Sequence, residues 1–165
     1  MVARCGRVIL IAVLGLFGAL GVVGTAHAQK TTVAPMSLLE KPEKAWWMGQ
    51  LHQAREFGGR ALAGLQAAPT DDSTPIDEDV LQDARNTYAL IRSARGGIAI
   101  ARGDRRQADP MIDLVYKRVD DAWNLARVPV DRVSWGNSRV EYLSAAVPSL
   151  EKSLHLLDQV FLLMP

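Results

Sequence analysis

Apolar residues in the last part of the chain recur at alternating spacings of three and four positions, with polar residues between them. This spacing is typical of an α-helix that packs along its whole length against other helices. The apolar stripe consists of Val140, Leu143, Val147, Leu150, Leu154, Leu157, Phe161 and Met164. We therefore predict a long C-terminal helix that buries this stripe.

The start and the middle of this helix carry two further signals. Ser138 and Glu141 have the spacing of a capping box, which predicts that the helix begins at residue 137 or 138. Pro148 falls inside the helix, where a proline removes one backbone hydrogen bond and clashes with the preceding turn. Because the stripe continues in phase on both sides of Pro148, we expect one kinked helix. A break into a fifth, short helix is the alternative.

Three upstream segments show the same helical periodicity. The inward positions of the first are Trp47, Leu51, Ala54, Gly58, Ala61, Leu65 and Ala68. The inward positions of the second are Val80, Ala84, Thr87, Ile91, Ala94, Ile98 and Ala101. The inward positions of the third are Ile112, Val115, Val119, Ala122 and Ala126. Because Gly58 lies on an inward face, we expect a neighbouring helix to approach closely there, with a bend at this point as the alternative.

Proline and capping residues predict where these three helices begin and end. The first is expected to begin near Pro42, because proline is tolerated in the first turn of a helix. Thr74-Pro75-Ile76-Asp77 is expected to open the second helix, and Gly103-Asp104 to end it. Asp109-Pro110 is expected to open the third, and Pro129 to stop it.

The four segments predict one helical domain. Short connections between amphipathic helices favour antiparallel neighbours, and no alternating strand pattern competes with this interpretation. We therefore expect residues 41–165 to form an all-α, antiparallel up-down-up-down four-helix bundle. Residues 1–28 are interpreted as a cleaved signal peptide and residues 29–40 as a flexible lead.

The signal-peptide prediction depends on the order of charged, apolar and small residues. The first seven residues carry two arginines and no acid, and residues 8–24 are wholly apolar. Ala26-His27-Ala28 then supplies the small residues that signal peptidase requires, so cleavage is predicted after Ala28. A periplasmic or secreted location follows. An uncleaved membrane anchor through residues 8–24 is the alternative.

Charge and cysteine content exclude several classes of function. The whole chain has 19 basic and 18 acidic residues and a formal net charge of +1, and loss of two signal-peptide arginines makes it −1. A nearly neutral chain argues against general nucleic-acid binding. The single cysteine, Cys5, lies in the predicted signal peptide. Because the mature chain would contain no cysteine, it could not form a disulfide framework, a thiolate metal site or a covalent attachment to haem.

The sequence contains no nucleophile elbow, no glycine-rich phosphate loop, no Glu-x-x-His pair and no His-x-x-x-His pair. We therefore predict a non-enzyme without a cofactor. His52 and His155 are weak metal or haem candidates, because they are expected at similar height on antiparallel neighbours. Each directly follows an inward position, Leu51 or Leu154, so both are expected to point largely into solvent.

The second helix carries an arginine stripe beside its apolar face. The stripe consists of Arg85, Arg92, Arg95, Arg102 and Arg106. Guanidinium groups bind carboxylates and phosphates well, so Arg85, Arg92, Arg95 and Arg102 are candidates for an anion-binding site. The favoured alternative is structural ion pairing, with Asp113 and Asp120 of the third helix as partners.

Excess apolar residues are expected at one end of the bundle. Trp46 and Trp47 begin the first helix, and Leu156, Leu162 and Leu163 lie off the stripe near the end of the last helix. Antiparallel packing places both groups at the same end. This end is either covered by residues 29–39 or available to another subunit, a partner protein or a membrane surface.

These observations predict an exported, non-catalytic bundle that acts through protein–protein or envelope contacts. Its partner is expected to be a second copy of the chain or an envelope protein, with peripheral membrane contact as a further option. The alternative function is a periplasmic carrier of a small ligand or haem, which would use the bundle interior, the two histidines or the arginine stripe.

Overall fold

The computed structural model describes residues 42–104, 109–132 and 138–165, which form four helices and no strand. Their bounds are Pro42–Ala67 for α1, Glu78–Gly103 for α2, Pro110–Arg132 for α3 and Arg139–Leu163 for α4. The prediction of an all-helical chain is confirmed for these residues. The predicted signal peptide, the predicted lead and Arg106 lie outside the described residues.

Each helix packs against two others, so that α1 and α3 both lie between α2 and α4. Contacts between α1 and α2 show that these two helices run in opposite directions. Arg60 in the second half of α1 pairs with Asp83 near the start of α2, whereas Trp46 near the start of α1 packs on Gly97 near the end of α2. The other neighbouring pairs show the same reversal.

The inward faces predicted for α1 and α3 are confirmed. All five positions predicted for α3 are buried, and so are the predicted α1 positions that lie within the helix. The inward face of α2 is confirmed in its middle, but Leu81 is buried near the start where Val80 was expected. Val80 is instead half-buried, and its side chain packs against Gly64 of α1.

Gly58 allows α1, α2 and α4 to approach each other closely, as predicted. A Cβ atom at position 58 would lie 2.5 Å from Leu154 Cδ2 and 3.2 Å from Thr87 Cγ2. Real Cβ atoms do not make contacts as short as the first of these, so a larger residue requires Leu154 to move. The space that glycine leaves in α1 is thus filled by a leucine of α4.

The first half of α4 buries a different face from the predicted one. Val140 is 57% exposed, and Leu143 and Val147 are only half-buried. Tyr142 and Ala146 are buried in their place. The Tyr142 hydroxyl donates a hydrogen bond of 3.0 Å to the carbonyl oxygen of Pro129 in α3, and this contact fixes the face that α4 turns inward. From Leu150 onward the predicted stripe and the buried face largely coincide.

The prediction that Pro129 stops the third helix is wrong, because α3 continues to Arg132. The missing hydrogen bond and the clash of the proline ring with the carbonyl four residues earlier affect only the last turn of α3. Pro148 likewise lies inside one continuous helix, so the alternative of a fifth helix is wrong. Its ring is on the exposed side of α4, away from the neighbouring helices.

The second helix begins later than predicted, and its N-cap is Asp77 instead of Thr74. The helix begins at Glu78 with Asp77 as its cap, and the Asp77 carboxylate accepts a 3.0 Å hydrogen bond from the N–H of Asp79. Thr74 is held outside the helix, because its N–H donates a 2.9 Å hydrogen bond to the Asp71 carboxylate. The predicted caps of the other helices are confirmed: Asp109 Oδ1 accepts from Met111 N–H, and Ser138 is the N-cap of α4.

Burial of Tyr142 makes the free energy of unfolding depend on pH in the alkaline range. Burial raises the pKa of Tyr142 to about 12, although the charges of Arg139 and Arg85 act in the opposite direction. The unfolded chain releases this proton near the ordinary tyrosine pKa of ~10. The contribution of the neutral Tyr142 side chain to the free energy of unfolding is therefore complete below pH ~10, and it is lost as the pH rises towards ~12.

We expect Tyr142→Phe to remove this part of the pH dependence and to cost about 1 kcal/mol at neutral pH through the lost hydrogen bond. Chemical denaturation at a series of pH values, for the wild type and the variant, measures both effects. A parallel loss of stability in the two proteins between pH ~10 and ~12 would contradict the assignment.

Candidate contact surface

The five residues predicted for partner contact have different surroundings. Trp47 and Leu156 are 2% and 7% exposed, so both belong to the core and neither is accessible on the surface of this chain. Leu163 is half-buried. Trp46 and Leu162 are 51% and 82% exposed, and these two are available to a partner.

Large exposed apolar side chains gather at one end of the four helices, where α1 and α3 begin and α2 and α4 end. We call this set the apolar end, and it consists of Trp46, Ile100, Met111, Leu114 and Leu162. Every helix contributes at least one member. At the opposite end of the described residues, Val140 is the only large apolar side chain with comparable exposure.

Three members of the apolar end were not anticipated as contact residues. Ile100, Met111 and Leu114 lie outside the predicted inward faces of α2 and α3. Leu162 was predicted to be exposed because it is a large apolar residue outside the inward face of α4. The same criterion, applied to α2 and α3, identifies Ile100, Met111 and Leu114.

The outer face of α2 forms a shallow groove beside Trp46. Its lining residues, which we call the α2 groove, are Trp46, Tyr88, Ala89, Arg92, Ser93, Gly96, Gly97 and Ile100. A Cβ atom on Gly97 would lie 2.9 Å from Trp46 Cζ3, so the indole ring rests against the bare backbone of α2. Gly96 has open space where its Cβ would stand. The groove floor is thus made of small residues, and Arg92 is its only charged group.

Arg95 and Arg102 are paired with α3, as the interhelical alternative predicted. Arg95 Nε lies 2.5 Å from Asp120 Oδ1, and Arg102 Nε lies 2.7 Å from Asp113 Oδ1. Both guanidinium groups also lie over aromatic rings of α3. Arg102 is 4.4 Å from the Tyr116 ring centre, a distance at which a cation is attracted to the ring face. These arginines therefore connect α2 to α3, and a ligand would have to compete for them.

Arg92 differs from the other arginines of α2. Arg85 pairs with Glu78 on its own helix at 2.5 Å. No ion pair or hydrogen bond joins the Arg92 side chain to any of the described residues, and the side chain is exposed. Of the four candidate anion-binding residues within the described ranges, only Arg92 has a guanidinium group that is not already bound to a carboxylate.

His52 and His155 are engaged by neighbours on the outer surface. The His52 ring stacks on Phe161 of α4 with 4.2 Å between ring centres and an interplanar angle of 2°. His155 shares a 2.9 Å hydrogen bond with Gln159. Within the described residues, no group of three His, Cys, Asp or Glu side chains is arranged to hold a metal ion.

A small cavity opens at the same end of the molecule, between α1, α2 and α3. Its walls include Trp47, Gly97 and Ile112, and its volume is about 90 Å³. An apolar cavity of ~150 Å³ can hold one benzene molecule, which is far smaller than a haem. This cavity is therefore too small for a haem.

None of the four described helices combines the length and the apolarity that crossing a membrane requires. The chain matches no family model, and comparisons with curated proteins and with solved structures find no similar protein.

Proposed function

We propose that this chain is an exported, non-catalytic, antiparallel four-helix bundle that works through protein–protein or envelope contacts made by its apolar end. The observation that carries the proposal is the gathering of five exposed large apolar side chains at one end, with a contribution from every helix. Scattered exposed apolar residues need no explanation, but a concentration at one place is typical of a binding surface.

The identity of the exposed residues supports this proposal. Tryptophan is enriched at protein interfaces, because one side chain supplies a large contact area at low entropic cost. Trp46 keeps 51% of its surface exposed although its neighbour Trp47 is buried. Leu162 is 82% exposed on the side of α4 opposite the core. Export is supported separately, by the charged, apolar and small-residue pattern of residues 1–28.

Site-specific photo-crosslinking in the producing cells tests the proposal. A benzophenone amino acid placed at position 46 or 162 is expected to give adducts of defined mass with a second protein. The matched controls are positions 66 and 144, which are exposed at the other end of the helices. Cell fractionation of the same samples shows whether the adducts are in the envelope. Adducts of equal yield at all four positions, or none at 46 and 162, would contradict the proposal.

A further inference from the structure

We infer that a second copy of this chain binds the α2 groove, so that the two α2 helices pack antiparallel about a twofold axis near Gly96. The inference rests on the proposed function, because it names the partner for the part of the apolar end formed by Trp46 and Ile100. The surface on α3 and α4 is not used and remains available to another protein.

The shape of the groove fits a second copy of α2. Ala89, Arg92, Ser93 and Gly96 have the spacing of four residues that surround a hole on a helix surface. Ile100 follows on the same face, one turn beyond Gly96, and is 68% exposed. Each copy therefore carries both the hole and a side chain of suitable size to fill it. An isologous pair requires such self-complementarity.

The register that places each Ile100 over the hole of the other copy brings Gly96 and Gly97 to the twofold axis. Two antiparallel helices are closest where they cross, and glycine allows their backbones to approach. Apart from its chain neighbours and the backbone of α2, no described residue has a heavy atom within 4 Å of the place where a Gly96 Cβ would stand, so the space for a second helix is open. Trp46 rests on Gly97, so the indole rings of both copies lie beside the crossing point and cover it.

Charge in this register is complementary along the helix axis. Arg92 and Asp104 form no side-chain ion pair with any described residue, whereas Arg95 and Arg102 are committed to α3. In the antiparallel pair, Asp104 of the second copy lies about one helical turn, ~5 Å, from the level of Arg92. An arginine side chain can span that distance, and twofold symmetry gives two such pairs.

Sedimentation equilibrium of the protein in its exported form, from ~1 µM to ~500 µM, measures the dimer. We expect Ile100→Lys to weaken dimerisation at least about tenfold, because the ammonium group would enter the hole beside Arg92 of the other copy. Gly96→Leu is expected to have the same effect by filling the crossing point. The matched control is Val140→Lys, which also replaces an exposed apolar residue but lies at the other end. Circular dichroism shows that each variant remains folded.

A charge exchange tests the register. Arg92→Asp and Asp104→Arg are each expected to weaken the dimer, and the double variant to restore most of the lost affinity. A monomer at all concentrations would overturn the inference, as would a dimer that Ile100→Lys and Gly96→Leu leave unchanged. If such a monomer still forms crosslinked adducts with another protein through position 46, the proposed function survives and only the dimer is wrong. Dimerisation without any adduct to another protein supports the inference and limits the function to self-association.

Discussion

Trp47→Ala is expected to lower the free energy of unfolding by about 3–5 kcal/mol, the range for truncation of a buried tryptophan. Trp47 is 2% exposed and belongs to the larger of the two clusters of buried apolar side chains. Removal of the ring leaves a cavity in this cluster, and the surrounding side chains, held by their own helices, fill it only in part. Chemical denaturation followed by circular dichroism measures the change.

The neighbouring tryptophan is a matched control for this variant. Trp46→Ala removes the same side chain from a site that is 51% exposed, so we expect a cost of about 1 kcal/mol or less. The loss of contact with Gly97 accounts for that cost. Equal destabilisation by the two variants would show that the burial assigned to this end of α1 is wrong.

Leu150→Ala and Leu154→Ala in α4 are each expected to cost about 2–5 kcal/mol. Leu150 is fully buried, and Leu154 fills the space that Gly58 leaves in α1. Because the two residues belong to different clusters of the core, both parts of the interior are tested. The unfolding midpoints in urea measure the effect.

Leu162→Ala is the control for these two variants, because it makes the same change on the same helix at a site that is 82% exposed. Its expected effect is within about 0.5 kcal/mol. Unchanged midpoints for Leu150→Ala and Leu154→Ala would mean that α4 turns another face to the core. A large cost for Leu162→Ala would mean that this residue is covered in solution, for example by a partner.

Periodicity predicted α1 and α3 well because their apolar positions keep one phase from end to end. The α3 positions from Ile112 to Ala126 are all buried where expected. In the first half of α4, two faces compete, since both Val140 and Tyr142 lie next to further apolar residues. The Tyr142 hydrogen bond to Pro129 on another helix decides between them. No local pattern contains that information.

The sequence predicted the end of the bundle at which exposed apolar residues lie, but it did not predict all of the residues that are exposed there. An excess of apolar residues at the end formed by the start of α1 and the end of α4 was visible in the sequence, and Trp46 and Leu162 are exposed there. Leu156, which was expected at the same surface, is covered in the core. Helical phase gives the direction in which a side chain points, but its exposure also depends on how closely the neighbouring helix lies.

The sequence by itself determined four helices and most of their caps, because spacing and local hydrogen bonding act within a few residues. Only the tertiary structure decided that Leu156 is buried whereas Leu162 is exposed, and which arginine of α2 remains unpaired. Those outcomes depend on contacts between residues that are distant in the chain. Burial and ion pairing depend on the two surfaces that pack together, whereas the sequence of one helix specifies only its own surface.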